Sequence, residues 1–340
     1  MVRFSKEPAV SDFGFTGGDP FLYIADIKAA VSAARKAGVQ QAFQMTTSAY
    51  WATDRDQVRN TLNELAALGL TALTLSYDHE HAKWVSRDQI LMVCDIAGEL
   101  GLRIFVSGTF WNERDRVLDL LPELASRPHA TAHNHFVAPM GRAKNAAWPR
   151  RYELEPQAKL SCGDPGYYSF SIYPDGEVYP CCAGGFQIEG KLSCGNIRRD
   201  TPAKILFAGM TNFHVRMAKE FGWGVLYALV EREAPELRNA LPRFEDLDTP
   251  CEICRDLNVG LRDQLTPIYH IIEREYAKSR LEQEWKRTTG PEKRNFGGRS
   301  LSLAACVNLL DTDRDVRLDY LSGALQIASQ AIPNAEMVLA

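Results

Sequence analysis

The sequence lacks the features that mark several large classes of protein. It has no run of about 18 apolar residues, which excludes a membrane-spanning helix. The opening residues, MVRFSKEPAVSD, carry no apolar core of the kind a secretory signal needs. Basic residues form no block, and the formal net charge over 340 residues is −4, so a nucleic-acid-binding footprint is missing. No internal repeat is visible beyond an alternation of strand and helix signals. These absences point to the cytoplasm, where thiols stay reduced. The 8 cysteines therefore favour metal ligation over disulfides.

What is present is organised around residues 162–182. Two strand-like runs, 168–173 and 177–179, are joined by Pro174-Asp175-Gly176, a tight-turn signal in which proline presets φ and glycine supplies a positive one. The turn brings Cys181 back towards Cys162, and two thiols across a short hairpin suggest half of a metal site. Cys251-Glu-Ile-Cys254 is the candidate for the other half, because C-x-x-C lets two thiolates face one metal centre. Cys182 rivals Cys181. Cys94 lies on a helix face between Val93 and Ala97 and reads as core packing.

Upstream, residues 13–110 alternate strand and helix signals. Strands are expected at 13–16, 41–46, 71–77 and 102–106, with a further one at 135–138. Helices are expected at 21–37 (Ile24, Ile27, Val31 and Ala34 on one face), after a Thr53 cap (Val58, Leu62, Leu65), after a Ser86/Gln89 capping box (Ile90, Val93, Cys94, Ala97), and at 115–126. Repeated βα units imply a parallel sheet whose chemistry sits at the C-terminal strand ends. The polar residues there are Gly17, Gly18, Asp19, Thr46, Thr47, Ser48, Ser76, Asp78, His79, His81 and Ser107, although such loops are polar in any case. His79, Glu80 and His81 permit a metal cluster, but a solvated loop suits them better. From Gly141 the period changes. A linker at 144–160 leads to the hairpin, then to helical stretches near 201–209, 211–240 and 261–284. Residues 285–300 read as a flexible linker, and the final stretch has no assignable role.

These residues resemble the radical S-adenosylmethionine (SAM) proteins that carry a C-terminal SPASM or Twitch auxiliary iron–sulfur domain. Gly17-Gly18-Asp19-Pro20 is similar to the family's GGEP motif, with Asp for Glu. Thr46-Thr47-Ser48 lies where many members have Thr-Asn-Gly. Ser76-Tyr77-Asp78 resembles the Ser-x-Asp strand end beside SAM, and Gly141-Arg142-Ala143 a segment at the barrel exit. Cys162, thirteen residues, Gly176, four residues and Cys181 satisfy the auxiliary-domain spacing, and no cysteine follows Cys254 until Cys306.

The resemblance implies an α/β fold: a truncated partial (β/α)6 TIM-like barrel at 1–143, a small α+β auxiliary domain with a β-hairpin at 144–284, and a linker and tail at 285–340. It implies SAM contacts from Gly17, Gly18, Asp19, Ser76, Asp78 and Arg142. One [4Fe–4S] cluster of the shorter Twitch form would be held by Cys162, Cys181, Cys251 and Cys254. The implied chemistry is reductive SAM cleavage to a 5′-deoxyadenosyl radical that modifies a peptide or small metabolite, fed by a flavodoxin or ferredoxin. The family's catalytic C-x-x-x-C-x-x-C precedes the GG motif, yet only 16 residues stand before Gly17 and none is cysteine. As printed the chain is therefore expected not to form the catalytic cluster. It is either a truncated reading or a non-catalytic binding or scaffold relative with one iron–sulfur or zinc site. An unrelated α/β protein with a zinc ribbon is the third reading.

Overall fold

The computed structural model describes residues 1–112, 114–137, 162, 168–182, 192–243, 250–287, 294–296, 299–301, 303–312, 317 and 336–339. Its amino-terminal half is a run of βα units: β1 (Asp12–Phe15), α1 (Ile24–Lys36), β2 (Ala42–Thr47), α2 (Arg55–Ala67), β3 (Leu70–Ser76), α3 (Arg87–Glu99), β4 (Arg103–Phe110), α4 (Val117–Leu120) and β5 (Ala130–Phe136). The helices form because their apolar stripes are buried. Val58, Leu62 and Leu65 of α2 and Ile90, Val93, Cys94 and Ala97 of α3 are each fully covered. A buried aliphatic side chain contributes about 1.5–3 kcal/mol, whereas helix propensities differ by under about 1 kcal/mol, so the stripes decide. The Ser86/Gln89 capping box is formed.

The five strands pair in parallel in the order β5-β4-β3-β2-β1. Each crossover steps in the same direction, so right-handed connections put all the helices on one face. That face carries Phe13, Phe43, Met45, Leu73, Leu75, Ile104 and Val106, all buried in one core. The alternate residues, Gln44, Thr46, Thr74, Ser76, Phe105, Ser107, His133 and His135, share the opposite face and remain half-buried or exposed. A singly wound sheet with one polar face is the arrangement from which barrels are built. Here, among the described residues, the sheet is open, with β5 at one edge, so closure is not established.

Several local expectations are corrected. Asp54, not Thr53, caps α2, because its carboxylate accepts from Gln57 N at 2.8 Å. The helix expected at 115–126 is broken into α4 and a 3₁₀ turn at Pro122–Ser126, since Pro122 has no N–H to continue it. The strand expected at 135–138 begins at Ala130, because β4 runs on to Phe110 and offers it a full ladder.

In the second half, β6 (Phe170–Ile172) and β7 (Glu177–Tyr179) form the expected antiparallel hairpin, with Gly176 at φ 86°. β8 (Gly195–Asn196) adds to β7. Helices follow: α5 (Pro202–Thr211), α6 (Phe213–Arg216), a π turn at Met217–Phe221, α7 (Trp223–Glu233), α8 (Pro250–Val259) and α9 (Arg262–Arg287). The helical stretch expected at 211–240 is interrupted at Gly222, whose φ of 80° only glycine adopts readily. The linker expected at 285–300 instead contains the end of α9 and two antiparallel strands, β9 (Arg294–Phe296) and β10 (Arg299–Leu301), ahead of α10 (Leu303–Thr312). The last strand, β11 (Glu336–Leu339), lies parallel between β1 and β6.

Candidate functional site: a polar rim and a cysteine cluster

The loops after β1, β2, β3 and β4 meet at one rim. Gly17 and Gly18 both have positive φ (89° and 55°), and both are exposed. Asp19 closes that turn. Its Oδ1 accepts from Phe21 N at 3.0 Å, and its Oδ2 accepts from Thr47 Oγ1, Ser48 N and Ser48 Oγ at 2.8–2.9 Å. The Thr47 hydroxyl, having donated to Asp19, accepts from Ala49 N and Trp51 Nε1, both at 3.1 Å. Ala49 is the one non-glycine residue with positive φ among those described (61°), and it is fully buried. Such a conformation costs about 1–3 kcal/mol and persists only where its surroundings impose it. Trp51 stacks flat on Phe21, with centroids 4.1 Å apart.

Asp78, at the end of β3, is built the same way. Its Oδ1 accepts from Glu80 N, His81 N and His81 Nδ1 at 2.9–3.0 Å, and its Oδ2 from Thr109 N at 3.1 Å. Burial pushes its carboxyl up, but the bonds from His81 and Thr109 outweigh that and hold it below the usual range. The same hydrogen bond raises the His81 pKa against burial. Ser76 is the last residue of β3 and pairs with Ser107 of β4. Five of the six sequence-picked SAM residues therefore share this rim, and Arg142 lies outside the described residues. His79 pairs with Asp115 at 3.3 Å and His81 with Asp78, so these histidines are engaged by carboxylates.

Cys162 and Cys254 pack against one apolar cluster of the helical half. Cys251 and Cys254 are i, i+3 on α8 and share a face, while Ile253 and Leu257 turn into the core. The C-x-x-C lies within α8 and ahead of α9. Cys251 sits in the first turn, where free N–H groups favour a thiolate. Without a cation the thiols resist ionisation. Burial, then Cys162, Cys182 and Cys181, pushes Cys251 up to about 12. Burial, then Cys181, Cys162 and Cys251, raises Cys254 well above the ordinary thiol. Among the described residues, no three His, Cys, Asp or Glu side chains are closed into metal-holding geometry. Cys194 is buried beside them and feels Cys181.

The surroundings are specific. Cys162 N donates to Ala218 O at 2.7 Å, inside the π turn. Arg216, fully buried, stands just before that turn and pairs with Glu220 inside it at 2.9 Å. Tyr168 OH also donates to Glu220, and Tyr276 lies 4.6 Å from the Arg216 guanidinium. Tyr168 therefore reaches across to the helices. Asn258 donates to Cys254 Sγ at 3.4 Å. Sequence reasoning missed Asn258, Arg216 and Glu220. Only Asn258 had a signal, its i+4 spacing from Cys254.

No described helix is long and apolar enough to cross a membrane. A family model for SPASM, an iron–sulfur cluster-binding domain, matches residues 162–220. That span includes Cys162 and Cys181 and ends before Cys251. The putative peptide biosynthesis protein YydG of Bacillus subtilis (strain 168) is 25% identical over 189 residues, covering 54% of this chain. The match spans 57% of that relative's length. The chain is thus similar over residues 162–220 to SPASM iron–sulfur cluster-binding domains, and over about half its length to a putative peptide biosynthesis protein.

Proposed function

We propose that this chain holds one auxiliary [4Fe–4S] cluster through Cys162, Cys181, Cys251 and Cys254, in the Twitch arrangement, and takes part in SAM-dependent radical modification of a peptide. The observation that carries the reading is that Cys162 and Cys254, far apart in sequence, pack against one apolar cluster, with Cys162 and Cys181 inside the SPASM match. The donor set fits the group: four cysteines, an apolar surround, and an N–H donor on Cys254 sulfur. A bound cluster supplies one-electron chemistry. The chain's residues bind it, bury it and set its electrostatic surroundings.

On the rim, Gly17 and Gly18 offer their backbone to SAM. The Asp19 carboxylate is already filled by four protein donors, so its part is to hold that turn. Ser76 and Asp78 flank the same site, and Arg142 is retained as a carboxylate partner. The sequence as given has no C-x-x-x-C-x-x-C. The peptide class follows the description of the Bacillus relative, with a small metabolite as the second class. The division at 143/144 and 284/285, a partial barrel, cytoplasmic location and a flavodoxin or ferredoxin reductant belong to the same proposal.

The test is electron paramagnetic resonance of the reconstituted, reduced chain, together with SAM-binding calorimetry. A [4Fe–4S]⁺ signal lost in Cys254→Ala, and SAM binding lost in Gly18→Val, support the reading. A signal that survives in Cys254→Ala contradicts the ligand set. SAM binding unaffected by Gly18→Val contradicts the rim.

A further inference from the structure

Asn258 stands one helical turn beyond Cys254 on α8 and is completely buried. Its Nδ2 donates to the Cys254 carbonyl oxygen at 2.7 Å and to Cys254 Sγ at 3.4 Å. The carbonyl oxygen can only accept, so turning the amide over would set two acceptors face to face. Both N–H groups are therefore committed to one cysteine. This leaves Asn258 Oδ1 buried without a partner among the described residues, which is destabilising. A leucine of similar volume would avoid that cost. The bond to the i−4 carbonyl does not offset it, because such bonds inside helices stabilise little. The bond to sulfur is what distinguishes asparagine here. A second donor stands nearby. Tyr269 of α9 is 4% exposed, its hydroxyl has no partner among the described residues, and it belongs to the apolar cluster against which Cys254 packs. Its ring packs on His214, with centroids 4.3 Å apart.

We infer that Asn258 is a positioning residue for the auxiliary cluster, donating to the Cys254 sulfur that binds it and drawing its reduction potential upward, with the Tyr269 hydroxyl as a weaker second donor. The inference rests on the iron–sulfur reading above. One electron enters the cluster from a reductant and no bond breaks. The added charge spreads onto the sulfurs, so an N–H donor stabilises the reduced state more than the oxidised one.

The experiment is a dithionite redox titration of the anaerobically reconstituted full chain, followed by paramagnetic resonance, with iron and sulfide measured on each sample. Asn258→Leu is expected to keep wild-type iron and sulfide. At a fixed potential its reduced-to-oxidised ratio falls about tenfold, which is 59 mV for one electron. Tyr269→Phe moves the same way by less. Should Asn258→Leu fail to load iron, Asn258→Ser replaces it, since serine bonds the i−4 carbonyl and leaves the sulfur bare; the same fall is expected. Full iron with an unmoved potential in the loaded variant overturns the inference and leaves the cluster standing. No iron–sulfur signal in the wild-type chain overturns the cluster reading itself.

Discussion

The two ends of this molecule treat their polar groups in opposite ways. On the sheet rim each key carboxylate is filled by protein donors, four on Asp19 and four on Asp78, and the Thr47 hydroxyl has neither a spare donor nor a spare acceptor. Around the cysteines the pattern reverses. Asn258 Oδ1, Tyr269 OH, His214 Nδ1 and Trp223 Nε1 are buried without a protein partner, and the thiols repel one another's ionisation. Buried polar groups are almost always satisfied. The rim is thus organised by the chain itself. The cysteine region instead keeps buried polar atoms without a partner among the described residues.

The comparison can be broken most sharply at the cysteines. Cys251→Ala is expected to lose most of its iron and to lower the melting temperature of the reconstituted protein, because cluster binding is coupled to folding. Wild-type iron content in that variant removes Cys251 from the ligand set. On the rim, Asp78→Asn is expected to cost about 3 kcal/mol in denaturant unfolding. An amide cannot accept from Glu80, His81 and Thr109 together, and the His81 partner is left alone. Its iron content should stay at wild type, so a parallel loss of iron would mean that the two ends are not independent.

A smaller effect is expected where the hairpin meets the helices. A methyl at Gly209 would lie 2.2 Å from the Phe170 ring and 3.0 Å from Cys194 Sγ. Gly209→Ala should therefore destabilise by about 1–3 kcal/mol through overpacking, despite the roughly 1 kcal/mol gain in helix propensity. A stabilised variant in chemical denaturation would show that α5 does not press on β6.

The smallest effects concern protons and Cys94. The His81 pKa is raised in the fold, so the stability it contributes is fully present below about pH 6.5 and is lost as pH rises through its raised value. For Asp78 the sign is opposite: its contribution is present above about pH 3.9 and is lost as pH falls through its depressed value. Melting curves of wild type and His81→Gln should therefore converge as pH rises past neutrality, and a constant gap would contradict the ionic pairing. Cys94→Ala should leave the iron content unchanged and cost about 1 kcal/mol, since this thiol is simply core.

Much of this was legible from residues alone, and the failures are instructive. The stripes of α1, α2 and α3 and the hairpin turn depend on local spacing, and they formed where spacing put them. The rim residues could be named because βα order fixes which strand ends meet. The misses came from tertiary context. β5 was misplaced because its start depends on how far β4 runs. The break at Pro122 was overlooked within an otherwise helical pattern. The strands at 294–296 and 299–301 look like linker because each is only three residues long, begins with arginine, and is separated from the other by two glycines. At the cysteine end, spacing pointed to the four thiols. It could not reveal that the C-x-x-C lies inside a helix, or that the chain delivers Arg216, Glu220 and Tyr269 around it from separate elements.

The most direct measurement of the central claim is iron, acid-labile sulfide and zinc per chain after anaerobic purification and reconstitution. The account predicts about four irons with matching sulfide and no stoichiometric zinc. One zinc per chain without iron would contradict it and leave a structural Cys₄ site in its place.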